Sequence, residues 1–202
     1  MDKEQVIQEF RDAQAILSGH FVLSSGLHSE TYLQCARALM DAARADRLCK
    51  ALAGKLTDWM KNSKQTIDVI VAPAMGGVVV GYEMGRQLAV PSMFCERVDG
   101  EFTLRRGFAL EEGQKVLIVE DVVTTGKSSM EAARCITAHG GVPVAVASLI
   151  DRRAQNDVSL TLPLISLMAL DIPTYAPDKL PAHLKDVPAV KPGSRFLQQK
   201  AS

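Results

Sequence analysis

Residues 116–129, VLIVEDVVTTGKSS, decide how this chain is read. Four apolar residues run into two adjacent carboxylates, Glu120 and Asp121. Val122 and Val123 follow, then Thr124, Thr125, Gly126, Lys127, Ser128 and Ser129. A short apolar run bounded by turn residues reads as a buried strand. The segment after it reads as a loop opening a helix. Gly126 permits a tight turn, and successive N–H groups at a helix N-terminus form a cradle for an anion. The Thr and Ser hydroxyls add donors, and Lys127 adds charge, so the loop describes a phosphomonoester site. Carboxylates repel phosphates, so Glu120 and Asp121 call for a ligand that also carries hydrogen-bond donors. A ribose 2′,3′-diol near its own 5′-phosphate meets both demands. The competing reading is that Asp121 caps a turn and the hydroxyls cap the helix. The Gly-Lys-Ser triplet also mimics a P-loop. That loop needs a glycine five positions before Gly126, where Asp121 stands.

Outward from this stretch the pattern alternates. IDVIVA (67–72), PSMFCE (91–96), KVLIVE (115–120), VPVAVASLI (142–150) and LISLMAL (164–170) read as strands. Gly76-Gly77 opens a helix to about Leu88, and 127–139 is a second helix ended by Gly140-Gly141. Such alternation predicts an α/β fold with a mostly parallel sheet and right-handed crossovers. Ligands bind such sheets beyond the carboxyl ends of the strands, so the informative residues follow Ala72, Glu96, Glu120 and Ile150. VDGEFTLRRG (98–107) reads as a polar loop. Nearer the N-terminus, residues 3–17 place Val6, Phe10, Ala13 and Leu17 on one helical stripe that Gly19 stops. Phe21 to Tyr32 reads as extended, with a Ser-Ser-Gly turn inside it. Asp41 caps a helix with Leu48, Leu52, Leu56 and Trp59 on one face.

The 202 residues suffice for one domain with a substantial core. Lys plus Arg and Asp plus Glu each total 23, and a balanced chain argues against general nucleic-acid binding. The four cysteines, at 35, 49, 95 and 135, form no CxxC pair and have no histidine at ligand spacing. They read as reduced thiols in a cytoplasmic protein. The N-terminus lacks the apolar core of a signal peptide, and no window is apolar enough for a membrane span.

An apolar run, two acids, two apolar residues and T-T-G-x-S resembles the signature of type I phosphoribosyltransferases, which use 5-phosphoribosyl-1-pyrophosphate (PRPP). HFVLSSGLHSETYLQC (20–35), VAPAMGGVVVGYE (71–83), ERVDGEFTLRRGF (96–108), ASLIDRR (147–153) and DVPAVKPGSR (186–195) narrow the resemblance to orotate phosphoribosyltransferases. It implies one domain over 1–202: a hood mainly at 18–40, a core at 65–171 and an irregular C-terminal cover at 172–202.

The resemblance also assigns roles. Glu120 and Asp121 hold the ribose diol, Thr124 to Ser128 form the 5′-phosphate loop, Val122 and Val123 complete the PRPP-binding stretch, and Gly76 and Gly77 bring backbone close to pyrophosphate. Paired glycines have a competing role in tight helix packing. Thr124 and Arg152 read orotate, since an arginine fork suits a planar carboxylate; the alternative for Arg152 is an ion pair with Asp151. Ser24-Ser25-Gly26 and Tyr32 fall in the hood over the base. Arg97 stands at the base of a mobile loop, 98–107, that closes over the partner's site in a homodimer. Arg105 and Arg106 in that loop neutralise leaving pyrophosphate and, with Glu120 and Asp121, make up the catalytic set. Mg²⁺ rides on the substrate, with no direct protein ligand. The better-known branch of the family carries lysines in the mobile loop, the pyrophosphate loop and the hood. This chain has an arginine-containing loop, Gly76 and Ser24 there, and no lysine between Lys64 and Lys115. Two alternatives stay open: a phosphoribosyltransferase for another base, such as a purine, and a PRPP-sensing regulator without catalysis.

Overall fold

The computed structural model describes residues 1–23, 25–153 and 160–192. Helix α1 (Lys3–Asp12) starts with a capping box between Asp2 and Gln5 and buries Val6 and Phe10. It is shorter than its apolar stripe suggests. Gln14 adopts a left-handed φ of 50°, and the chain passes directly into strand β1 (Ile16–Val22). Leu17 therefore belongs to a strand, and Gly19 lies inside it rather than stopping a helix. Strand β2 (His28–Leu33) pairs antiparallel with β1 as a separate two-stranded sheet, the hood. A short helix α2 (Cys35–Leu39) leads to the long α3 (Ala42–Ser63). Asp41 caps α3 by accepting from the Arg44 N–H at 2.9 Å. Leu48, Leu52 and Leu56 on its inner face are fully buried, and Trp59 packs against the same core.

Strand β3 (Val69–Pro73) opens the main sheet, and helix α4 (Gly76–Leu88) follows it. Next come β4 (Ser92–Val98), β5 (Glu101–Leu104) and β6 (Lys115–Val123). Helix α5 (Lys127–Ala138), β7 (Val142–Asp151) and β8 (Leu164–Ala169) complete it. The order is β5-β4-β3-β6-β7-β8, parallel except for the edge strand β5. Helices α3 and α4 cover one face and α5 the other, so two hydrophobic clusters share the sheet. Within β6, Leu117 and Val119 join the first cluster and Val116 and Ile118 the second, the alternation a strand imposes.

The reading of 98–107 as a loop needs correction. Asp99 and Gly100 both have positive φ, 51° and 91°, as a two-residue hairpin turn requires. Val98 pairs with Glu101 and Cys95 with Leu104, so most of the segment is a β-hairpin.

Helix α4 approaches the sheet unusually closely. A Cβ at Gly77 would lie 2.8 Å from the Val119 carbonyl oxygen, one at Gly81 2.7 Å from Ala72 Cβ, and one at Gly85 2.9 Å from Ser92 Cβ. Three glycines at i, i+4 and i+8 thus let the helix backbone rest on β3, β4 and β6.

Residues 172–192 run back over the hood. Val190 bridges to Phe21 and Tyr175 to His28. His20 Nδ1 lies 2.7 Å from the Val187 carbonyl and its Nε2 2.6 Å from His28 Nδ1. A carbonyl needs a donor, so His20 donates from Nδ1. His183 pairs with Glu30 at 2.9 Å. The expectations for Ser24 and for residues 193–202 lie outside the described residues.

Candidate active site

The sheet order reverses between β3 and β6. The chain leaves β3 through α4 toward β4 on one side, and leaves β6 through α5 toward β7 on the other. The crevice beyond the carboxyl ends of such a pair is where open α/β sheets bind ligands. The Pro73–Gly77 turn and the 120–128 segment both stand there.

Strand β6 runs four residues further than its apolar run, so Glu120, Asp121, Val122 and Val123 are strand residues. Adjacent strand residues face opposite ways. Glu120 points toward α5 and accepts a hydrogen bond from Ser129 Oγ at 2.9 Å. Asp121 points toward α4, where a Cβ on Gly76 would meet its Oδ1 at 2.9 Å. Asp121 Oδ1 also accepts from the Val122 N–H at 2.9 Å. Burial pushes the Glu120 carboxyl up to about 7; the Ser129 donor and Arg97 oppose the rise, and Asp121 adds to it. Burial likewise raises Asp121, against the pull of the Val122 N–H.

Gly126 takes the left-handed conformation, φ 74°, at the N-cap of α5, with no side-chain cap. A Cβ there would meet Leu160 Cβ at 2.8 Å, so glycine is required on both counts. Thr124, Thr125 and Lys127 are exposed around it, and the Lys127 N–H reaches Thr125 Oγ1 at 3.3 Å. The first turn of α5 therefore opens toward solvent beside Glu120, as an anion cradle should.

Arg152 follows β7, and its N–H donates to the Val123 carbonyl at 2.8 Å. The expected rival pairing does not involve it. Arg153 takes Asp151, with Nε to Oδ1 and Nη2 to Oδ2 both at 3.0 Å. Arg152 Nε is buried with no hydrogen-bond partner among the described residues. A buried, unmatched guanidinium N–H is costly unless a ligand completes it. Burial pulls the Arg152 guanidinium down, and nearby Cys35 and Tyr32 oppose this. Burial and Asp121 raise the Tyr32 hydroxyl while Arg152 lowers it. Tyr32 at the end of β2 and Cys35 at the start of α2 thus lie near enough to Arg152 and Asp121 to feel their charges.

The hairpin arginines are less free than the sequence suggests. Arg97 pairs with Glu131 of α5, donates to the Gly100 carbonyl at 2.6 Å and stacks 4.1 Å over the Phe102 ring. Arg106 makes a two-pronged contact with Glu96, at 2.8 and 2.9 Å. Arg105 is exposed. The sequence reading counts Ser129 among the loop hydroxyls that face an anion; it is instead buried and donates to Glu120.

Paired acids at the end of β6 and a glycine turn opening α5, both at a switch-point crevice, match the pattern expected of a phosphoribosyl-handling protein. The family model described as "Phosphoribosyl transferase domain" matches residues 43–167. The chain is 55% identical over 197 residues to the orotate phosphoribosyltransferase of Sphingopyxis alaskensis, covering 98% of this chain and 99% of that one. It is 51% identical over 197 residues to that of Parvibaculum lavamentivorans, covering 98% and 100%. The fold is shared with the orotate phosphoribosyltransferase structure from Aeropyrum pernix (TM-score 0.65, 21% identity, 81% of this chain and 93% of that one). It is shared too with that from Mycobacterium tuberculosis in complex with inorganic phosphate (TM-score 0.63, 22% identity, 82% and 94%). The chain belongs to the phosphoribosyltransferase family, within its orotate phosphoribosyltransferases.

Proposed function

We propose that this enzyme transfers the 5-phosphoribosyl group of PRPP to N1 of orotate, giving orotidine 5′-monophosphate and pyrophosphate. The orotate N1 lone pair forms the new bond to ribose C1 as the C1–O bond to pyrophosphate breaks, with inversion. The electron pair leaves on pyrophosphate. The transition state resembles an oxocarbenium ion, so no protein nucleophile is needed. Rate comes from alignment and from fixed charges matched to the separating ones. Glu120 and Asp121 accept from the ribose hydroxyls and favour the cationic sugar. The Val122 to Ser128 segment holds the 5′-phosphate, with Thr124 also facing the base. The Gly76 and Gly77 backbone, Arg97, and Arg105 and Arg106 on the hairpin receive pyrophosphate.

The observation that carries the choice of base is the unmatched, buried Nε of Arg152 under the hood. A planar carboxylate beside a ring carbonyl suits an arginine fork, and a neutral purine lacks that group. Mixing protein, PRPP and Mg²⁺ with orotate or with adenine, and following loss of each base, tests the assignment. Consumption of orotate alone is expected. Consumption of adenine would redirect it, and tight PRPP binding without turnover would favour a sensor.

Among the described residues no group of three or more His, Cys, Asp or Glu could hold a metal. Mg²⁺ keeps phosphate and water oxygens as ligands, so it suits a complex with PRPP rather than a protein cage. Bound in that way it would supply charge neutralisation to the leaving group. A homodimer is supported by α4 and its N-cap, where Met75, Val79 and Tyr82 are 83%, 50% and 71% exposed in one stripe. Such an apolar face beside the pyrophosphate turn suits a second copy whose hairpin covers this site. The molar mass in solution tests it. No helix among the described residues is long and apolar enough to cross a membrane, and the four cysteines are free and buried. Both features agree with a cytoplasmic enzyme.

A further inference from the structure

Ser129 has no role in the clamp as drawn so far, yet its surroundings are specific. It is 0% exposed, in the first turn of α5, among Ala132, Ala133 and Ile136 of the same helix. A buried hydroxyl must find a partner or bear the desolvation cost. Its partner is Glu120 Oε1 at 2.9 Å. Gly126 caps the helix and no side-chain cap forms, so the hydroxyl is not occupied with the helix end. Glu120 in turn is only 8% exposed. From the Ser129 contact and the opposite facing of Asp121, we infer that Ser129 is a positioning residue. It holds one oxygen of Glu120 so that the other is presented to the sugar hydroxyl in the ionised, accepting form. The inference rests on the reading that Glu120 grips the ribose diol.

The other charged or titratable groups around Glu120 are Asp121 beside it, and Arg97 and Cys95 on β4. Of these, Arg97 favours the carboxylate form electrostatically, and it is already paired with Glu131. Ser129 supplies the donor. A hydrogen bond to a charged acceptor is worth more than one between neutral groups. Its loss should therefore be felt both as weaker sugar binding and as a carboxyl harder to ionise.

Ser129→Ala removes the donor, keeps the small volume and improves helix propensity, so the fold is retained. At pH 7 the KM for PRPP should rise about tenfold while the KM for orotate changes about twofold at most. The acid limb of the kcat/KM profile for PRPP should move about one pH unit toward alkali, because the lost donor favoured the ionised form. Glu120→Gln should itself raise the PRPP KM and abolish that limb. In the Glu120→Gln background, Ser129→Ala should add no more than about a twofold effect and no pH shift. Wild-type KM and pH profile in Ser129→Ala would overturn the inference while leaving the diol reading intact. The same tenfold loss in both backgrounds would also overturn it, since Ser129 would then act independently of Glu120. An unchanged PRPP KM in Glu120→Gln would overturn the diol reading and the inference with it.

Discussion

A methyl group added at Gly76 would stand 2.9 Å from Asp121 Oδ1 and 3.2 Å from its Cγ and Oδ2. Ordinary contact begins near 3.4 Å, so the carboxylate must retreat by about 0.5 Å. It cannot do so freely, because Oδ1 already accepts from the Val122 N–H at 2.9 Å. Displacements of this size at a reacting centre cost up to about 100-fold per ångström, so Gly76→Ala should lower kcat/KM for PRPP about tenfold. That is about 1.4 kcal/mol of transition-state binding. Stability should move the other way. Gly76 is exposed and helical, and alanine there gains about 0.5–1 kcal/mol from helix propensity and a less entropic unfolded chain. Thermal unfolding should show a Tm unchanged or raised by about 2 °C. Initial rates of orotate consumption against PRPP concentration, beside a melting curve, form the assay. A kcat/KM within twofold of wild type would refute the coupling between this turn and Asp121. Activity and Tm falling together would show instead that the added carbon disturbs the packing of α4.

Arg152→Ala should raise the KM for orotate about 100-fold and that for PRPP only a few-fold, with Arg152→Lys restoring little, because an ammonium lacks the fork; equal losses for both substrates would remove Arg152 from base recognition. Glu120 contributes a pH dependence to the ligand-free protein whose sign follows from its raised value, about 7 against an ordinary 4.5. The stability it confers is complete below pH 4.5 and lost as pH rises to 7. The loss is about 3 kcal/mol over that window, and Glu120→Gln should flatten it in denaturant titrations at pH 5 and pH 8. Gly81→Val places its Cβ 2.7 Å from Ala72 Cβ and should cost about 2–3 kcal/mol by denaturant unfolding; wild-type stability would show that α4 lifts easily off the sheet.

The strands β3, β6, β7 and β8 were legible because each is a short apolar run with turn residues at its ends. The paired acids stood out because two carboxylates in front of a Gly-Ser-Thr loop are hard to explain by packing, and the structure places them at the end of β6. Where the reading failed, two local signals competed or a partner lay far along the chain. The 98–107 segment looked like a loop from its charge, yet Asp99-Gly100 between alternating residues was already a hairpin turn. The apolar stripe through Leu17 fitted a helix, but pairing of Leu17 with Tyr32 across the hood drew it into a strand. Gly77, Gly81 and Gly85 recur every four residues, but the purpose of Gly81 and Gly85 appears only when β3 and β4 lie beneath them. The exchange of partners at Asp151, where Arg153 displaces Arg152, depends on side-chain direction that spacing alone leaves undetermined.

Glu120 and Asp121 are chemical neighbours that belong to different halves of the molecule, one backed by α5 and the other by α4. The sheet lies between the two apolar layers. A sugar held by both acids would act as a rivet through the top of that sheet, so occupancy should slow amide exchange in α4 and in α5 alike. Resistance to unfolding gained from the substrate would then be shared by both layers, rather than confined to the loop that touches its phosphate.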